Sequence, residues 1–359
     1  MSTSPFAPAY PEGTACADIA GVQVPVRFSD PTAEYQAVRE RAALFDLTGA
    51  SVIEIGGPGA TDFAQRVLAR DVEYLTSETT MSSLVLADDG SVVDQVVVWG
   101  REDGMYLESS IGRGAELLAH LQERAADADA VTVTDRTDEF GLFALEGPYA
   151  WGVVGRVIDA ELAAMPFESI VDTRWDGVDI VFARAGLTGE YGYKVLAPRE
   201  SALDLWVKAA QEATPAGLEV LELAMLEVRQ PVLRHETADS AGASVLEMGA
   251  NWLVDVSKDE FVGRDQVLAA FEAGSTVRTI GFSGTGPVPE PGTEVTVDGE
   301  AVGEVVYATR RIGADDTLGL ARVRPELAAA GLRLTVADAE VSTLTSPYVT
   351  PRSWSTPII

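Results

Sequence analysis

The chain has 359 residues, 47% of them apolar, which suits two or three domains with substantial cores and excludes a disordered chain. Asp plus Glu outnumber Lys plus Arg by 56 to 26, giving a net charge of −30 that repels phosphate backbones and anionic lipid and so argues against nucleic-acid and membrane partners. No apolar run approaches the ~20 residues of a bilayer span. The only cysteine, Cys16, excludes an intrachain disulfide and a Cys-based zinc site, and a reducing cytoplasm is the expected compartment.

In chain order, residues 1–20 lack a basic start and a continuous apolar core and read as a loosely held arm rather than a signal peptide. VQVPVRF alternates like a strand, AEYQAVRERAA has helical character, and LFDLTGASVIEIGG returns to strand and turn. PGATDFAQRVLAR has helical spacing, with Phe63, Val67 and Leu68 on one side. Residues 82–100 predict two strands joined at Asp88-Asp89-Gly90, followed by a strand over 105–110 and an amphipathic helix over 112–126. Antiparallel strands and helices interleave, so residues 21–130 predict a first α+β domain.

A second α+β domain is predicted over 131–275. VTVTDRT and FGLFALEG look like strands, and PYAWGVVGRVI has helical character. VDIVFARAGLTGEYGYKVLAP reads as strand, turn, strand, the turn being the glycine-punctuated GLTGEYG that ends on Lys194. Ser201 with Asp204 resembles a capping box opening a helix, a turn follows at Pro215-Ala216-Gly217, and a further helix covers 218–229. FVGRDQVLAAFEAG closes this unit. From 276 to 352 the pattern becomes short alternating strands with Gly and Asp turns, a small β-barrel or sandwich, and 353–359 form a tail.

Several familiar motifs fail on context. GFSGTGPVPEPG is glycine-rich, but prolines and a strand follow it where a phosphate cradle needs a helix N-terminus. With two histidines, His120 and His235, and one cysteine, no transition-metal site is expected. His235 lies between Arg234 and Glu236, an arrangement that serves either a proton shuttle or a structural role.

The segments AGVQVPVRF, RERAALFDLTGASVIEIGG, ADDGSVVDQVVV, FALEGP, RAGLTGEYGYKV, SVLEMGANWLVDVSKDEFVGRD and GEAVGEVVYAT occur in an order that resembles the T-protein (aminomethyltransferase) family of the glycine cleavage system and its folate-dependent demethylase relatives. LVDVSKDEFVGRD is somewhat closer to the demethylase branch. The resemblance implies a three-domain disc of two α+β domains and a C-terminal β-barrel-like domain around a central cavity that holds tetrahydrofolate. It implies three polar folate contacts: the second Asp of an Asp-Asp pair, a Glu just after the T-G-E-x-G-x turn, and an Arg early in the next helix.

This chain departs at all three. The pair reads Asp94-Gln95, the position after TGEYGY is Lys194, and the Arg position falls at about Leu221. A pterin edge with two donors suits a carboxylate, whereas an ammonium offers donors only. A missing charged partner in such a pocket costs about 2–5 kcal/mol. Gln95 keeps a hydrogen bond but exchanges no proton at neutral pH, and Asp94 points to the opposite strand face. Lys194 is left with three roles: contact to a carboxylate ligand, an ion pair with Glu190 across the turn, or the surface.

The candidate catalytic residues are Asp94, Gln95 and His235; the candidate cofactor contacts are Glu190, Tyr191, Lys194, Ser110, Arg229 and Trp252, with no metal. Glu190 also suits a purely turn-holding role, and Trp252 and Tyr348 suit core packing as well as ligand stacking. The expected function is tetrahydrofolate-dependent one-carbon transfer on a small molecule, leaning to demethylation of an O-, N- or S-methyl compound. Two alternatives stand beside it: an enzyme on this fold that no longer uses folate and takes another, anionic, molecule, and a non-catalytic binding subunit. The residues do not specify an oligomeric state.

Overall fold

The computed structural model describes residues 2–157, 162–237 and 243–359. Among the described residues three sheets and a barrel make up the β structure, the smallest sheet being the three strands Ser2–Thr3, Val22–Arg27 and Ala15–Ile19. One sheet has six strands in the order Ile170–Trp175, Val178–Ala183, Gly192–Pro198, Phe140–Glu146, Ala43–Asp46 and Thr214–Ala216. Its neighbours are antiparallel except the last pair, where Thr214–Ala216 runs parallel to Ala43–Asp46. Another sheet has five strands in the order Thr80–Leu86, Val92–Arg101, Gly104–Glu108, Val52–Gly56 and Thr132–Asp135.

The alternation along the six-stranded sheet explains its burial on both faces. Phe143, Leu145, Val195 and Ala197 face a core with Trp206 and the helices. Leu142, Ala144 and Leu196 face the other way, against Trp99 and Val52 of the five-stranded sheet. Lys194 shares the parity of Leu196, so its side chain enters the space between the sheets.

The cut predicted at residue 130 is crossed by strands in both directions. Ala43–Asp46 pairs with Phe140–Glu146 in the six-stranded sheet, and Thr132–Asp135 pairs with Val52–Gly56 on the edge of the five-stranded one. A local pattern identifies a strand but carries no information about its distant partner. The six strands between Arg278 and Leu344 close into a barrel.

The N-terminal segment is not a loose arm. Phe6 is fully buried, stacked on Trp206 at 4.7 Å and edge-on to Phe143 at 5.6 Å. Ala15–Ile19 pairs with Val22–Arg27, and the Tyr10 hydroxyl donates to Asp46. The helix predicted to start at Ser201 begins at Arg199, directly after the strand ends at Pro198, and has no side-chain cap. Thr214–Ala216, predicted as a turn, is the short parallel edge strand. The helix predicted over 148–158 spans Ala150–Val157, and its predicted last residue lies outside the described residues. Among the described residues no helix is long and apolar enough to cross a membrane.

Candidate functional site

The space between the sheets narrows to a cavity of about 70 Å³, on a scale where one water takes roughly 10–15 Å³. Five parts of the chain wall it, one of them Leu47 and Ala50 just after the strand Ala43–Asp46. Gln95, Val97 and Glu108 come from the five-stranded sheet, and Ser109, Ser110 and Ile111 from the turn after it. Lys194 comes from the six-stranded sheet, and Leu187 from the turn that precedes that strand. The helix Leu218–Glu227 contributes Leu218, Leu221, Glu222 and Met225, one face at i, i+3, i+4 and i+7. Residues 231–234 close one side.

Lys194 fits because its neighbours are small. It pairs in register with Ala144 on one side and Ala183 on the other, leaving room for a long stem. Its ammonium is buried and donates to Glu108 Oε1; among the described residues it has no second hydrogen-bond acceptor. Glu108 also accepts from Trp99 Nε1 at 3.1 Å. The surface role and the ion pair with Glu190 are both ruled out by this burial and this partner. Glu108 escaped sequence reasoning because only the pairing of Val97 with Glu108 brings its strand beneath Lys194.

Gln95 lines the cavity, with Oε1 buried and without a hydrogen-bond partner among the described residues. Ser110 lines it as well, and its hydroxyl donates to the Gln95 carbonyl at 2.9 Å. Asp94 lies behind this wall, fully buried, accepting from the amides of Gln95 at 2.8 Å and Ser110 at 3.2 Å. Burial pushes its carboxyl up to about 7 despite the Ser110 hydrogen bonds and the Arg113 charge.

At the other side of the cavity Glu222 is paired with Arg234, and His235 Nε2 lies 3.2 Å from Glu222. Burial opposes ionisation of Glu222, but hydrogen bonds from His235 and Arg234 outweigh it and hold the carboxyl below its usual range. His235 itself is stacked on Tyr307 of the barrel at 3.9 Å and reaches the cavity only through Glu222.

The remaining candidates do not line the cavity, and the polar atoms of Glu190, Tyr191 and Arg229 are used elsewhere. Glu190 accepts from the amides of Arg352 and Ser353 at 3.0 and 2.9 Å, from the Ser353 hydroxyl, and from Arg39. It ties the glycine turn to the C-terminal segment. The Tyr191 hydroxyl donates to Thr356 O at 2.6 Å. Arg229 makes a bidentate pair with Glu236 and donates to Met248 O. Trp252 is half exposed. Glu146, unforeseen in the sequence, holds the turn from below by accepting from Leu187 N, Thr188 N and the Thr188 hydroxyl. Glycine is required at this turn because Gly186 and Gly192 pack backbone to backbone and Gly189 has φ +77°.

The GCVT N-terminal domain family matches residues 10–258, and the CAF17 C-terminal beta-barrel domain family matches 276–351. An aminomethyltransferase of Rubrobacter xylanophilus is 32% identical over 317 residues, covering 88% of this chain and 84% of the relative. That of Bacillus subtilis is 28% identical over 354 residues, covering 95% of both. The crystal structure of glycine cleavage system aminomethyltransferase T from Bartonella henselae superposes with a TM-score of 0.86 at 20% identity, covering 98% of this chain and 99% of that one.

Proposed function

The chain belongs to the glycine cleavage T-protein (aminomethyltransferase) family, and from that premise we propose that it is a tetrahydrofolate-dependent one-carbon transferase that grips the pterin by a different edge. The observation that supports this is the pair of groups in the cavity with hydrogen-bonding capacity to spare: the unpartnered Oε1 of Gln95 and the Lys194 ammonium, which uses one of its donors on Glu108. A pterin carries a ring carbonyl beside a ring N–H, an acceptor next to a donor. Lys194 suits the first and Gln95 the second, whereas the two-donor edge would meet Lys194 donor to donor. Val97, Leu221 and Met225 offer apolar walls for the ring.

Bound there, tetrahydrofolate supplies the nitrogen that accepts the one-carbon unit. The protein's own work is orientation. Glu108, anchored by Trp99, fixes Lys194, and Ser110 fixes the strand carrying Gln95. The finer activity within this class is methyl transfer from a small O-, N- or S-methyl compound. Gln95 cannot supply a proton where the methylene chemistry of glycine cleavage uses an acid.

Titration calorimetry with tetrahydrofolate tests the reading. Binding at micromolar strength or tighter supports it, and no binding at millimolar folate overturns it. The second outcome favours an enzyme of the same fold that has dropped folate and holds a small anionic molecule. The motive for that reading is Lys194 and Leu221 standing at two of the three positions where the family places polar folate contacts.

A further inference from the structure

One-carbon transfer leaves an oxygen, nitrogen or sulfur atom that takes up a proton, and the amide of Gln95 has none to give. The carboxylates lining the cavity are already paired, Glu108 with Lys194 and Glu222 with Arg234, His235 Nε2 lying 3.2 Å from Glu222 as well. Asp94 differs from both. It is fully buried, and the hydrogen bonds it accepts come from the amides of Gln95 and Ser110. The charged group facing it is Arg113, just before the helix Gly114–Ala125, whose guanidinium bonds Glu116 and Thr237 instead. A buried carboxyl with no cation hydrogen-bonded to it keeps its proton to higher pH, and burial does push this one up to about 7.

Ser110 joins that buried carboxyl to the cavity. Its amide bonds the Asp94 carboxyl at 3.2 Å, its hydroxyl sits one side-chain rotation from that amide, and the residue lines the cavity. The hydroxyl now donates to the Gln95 carbonyl, and rotation about χ1 would turn it toward the cavity.

Resting on the one-carbon reading above, we propose that Asp94 is a positioning residue that stores a proton for the cavity and delivers it through the Ser110 hydroxyl. The Asp94 O–H bond breaks as its proton passes to Ser110 Oγ. The original Ser110 hydroxyl proton leaves at the same time for the basic atom freed by the departing carbon. The carboxylate that remains is held by the Gln95 and Ser110 amides and by the field of Arg113. A proton returning from water by the reverse path resets it.

Infrared difference spectra of the ligand-free chain test this without folate. The native protein should show a protonated-carboxyl band, absent in Asp94→Asn, that is lost with a midpoint near pH 7. In D₂O that band should exchange at least about tenfold more slowly in Ser110→Ala and recover its rate in Ser110→Thr. Absence of a titrating band between about pH 5 and 9 overturns the proton store. Exchange at the native rate in Ser110→Ala overturns the delivery route. Because the native state holds a proton that the unfolded chain has lost, this group's contribution to stability falls as pH rises from about 4 to about 7, and Asp94→Asn should flatten that part of the profile. If Asp94→Asn does not fold, the Ser110 pair still decides the matter, Ser110→Ala also moving the band midpoint upward. A failure here leaves folate binding untouched, and a failure of folate binding leaves the infrared result standing.

Discussion

Lys194 shows how one side chain can be legible in type and illegible in consequence. The sequence places a lysine where the family places an acid, and chemistry alone says that the usual pterin grip is lost. It does not say that a carboxylate reappears on another strand, because Glu108 is 86 positions away and shares no local pattern with Lys194. Two opposite charges taken out of water cost several kcal/mol each, and their attraction offsets this only while both are present. Lys194→Met should therefore destabilise the protein by about 3–5 kcal/mol, because Glu108 stays buried without its cation. Adding Glu108→Gln, whose amide oxygen still accepts from Trp99, should recover most of that loss. Urea unfolding of the two single variants and the double variant measures the coupling. If the two losses simply add, the pair is not the structural unit described here.

At the scale of elements, the strand-turn-strand around GLTGEYG and the helix that follows it were both readable. In the structure the alternation of that strand puts Lys194 on the face of Leu196, and the 3.6-residue period puts Leu218, Leu221, Glu222 and Met225 together. The exchange of Ala43–Asp46 and Thr132–Asp135 between sheets was not readable, since pairing is a long-range choice. Nor was the N-terminal segment, where Phe6 sits in an Ala- and Pro-rich stretch with no periodicity and finds its core through Phe143 and Trp206. Glu190 was readable as a turn residue, but its partner segment at the C-terminus was not. That link predicts a specific weakness. Arg39 keeps Glu227 as a partner in Glu190→Ala, whereas the Arg352 and Ser353 amides and the Ser353 hydroxyl lose their acceptor. Local opening that becomes easier by about 1.4 kcal/mol exposes the segment about tenfold more often. Trypsin cleavage after Arg352 should accelerate by that factor in Glu190→Ala while urea unfolding of the body changes far less. Equal cleavage rates would show that the turn does not hold the tail.

For the whole molecule the governing number is the net charge of −30. The cavity does little to counter it, for its two cations, Lys194 and Arg234, are each paired with an acid, Glu108 and Glu222. An anionic ligand therefore approaches through a field that repels it and enters a cavity with no excess positive charge. Salt shortens that field, the Debye length falling from about 10 Å at 0.1 M to about 3 Å at 1 M. Most proteins that bind anions lose affinity as salt rises, because the attraction is screened. Here the screened quantity is repulsion, so the sign reverses. Tetrahydrofolate affinity, measured by calorimetry at rising KCl, should increase by roughly three- to tenfold between 0.05 and 1 M, with most of the gain in the association rate. The same screening relieves self-repulsion of the folded chain. If it returns about 3 kcal/mol, the apparent Tm of a chain this long rises by roughly 4 °C over that range. The two trends share one cause and should level off together near 1 M, where the Debye length is about the size of an ion pair. An affinity that falls with salt while Tm rises would locate an unpaired cation on the route into the cavity.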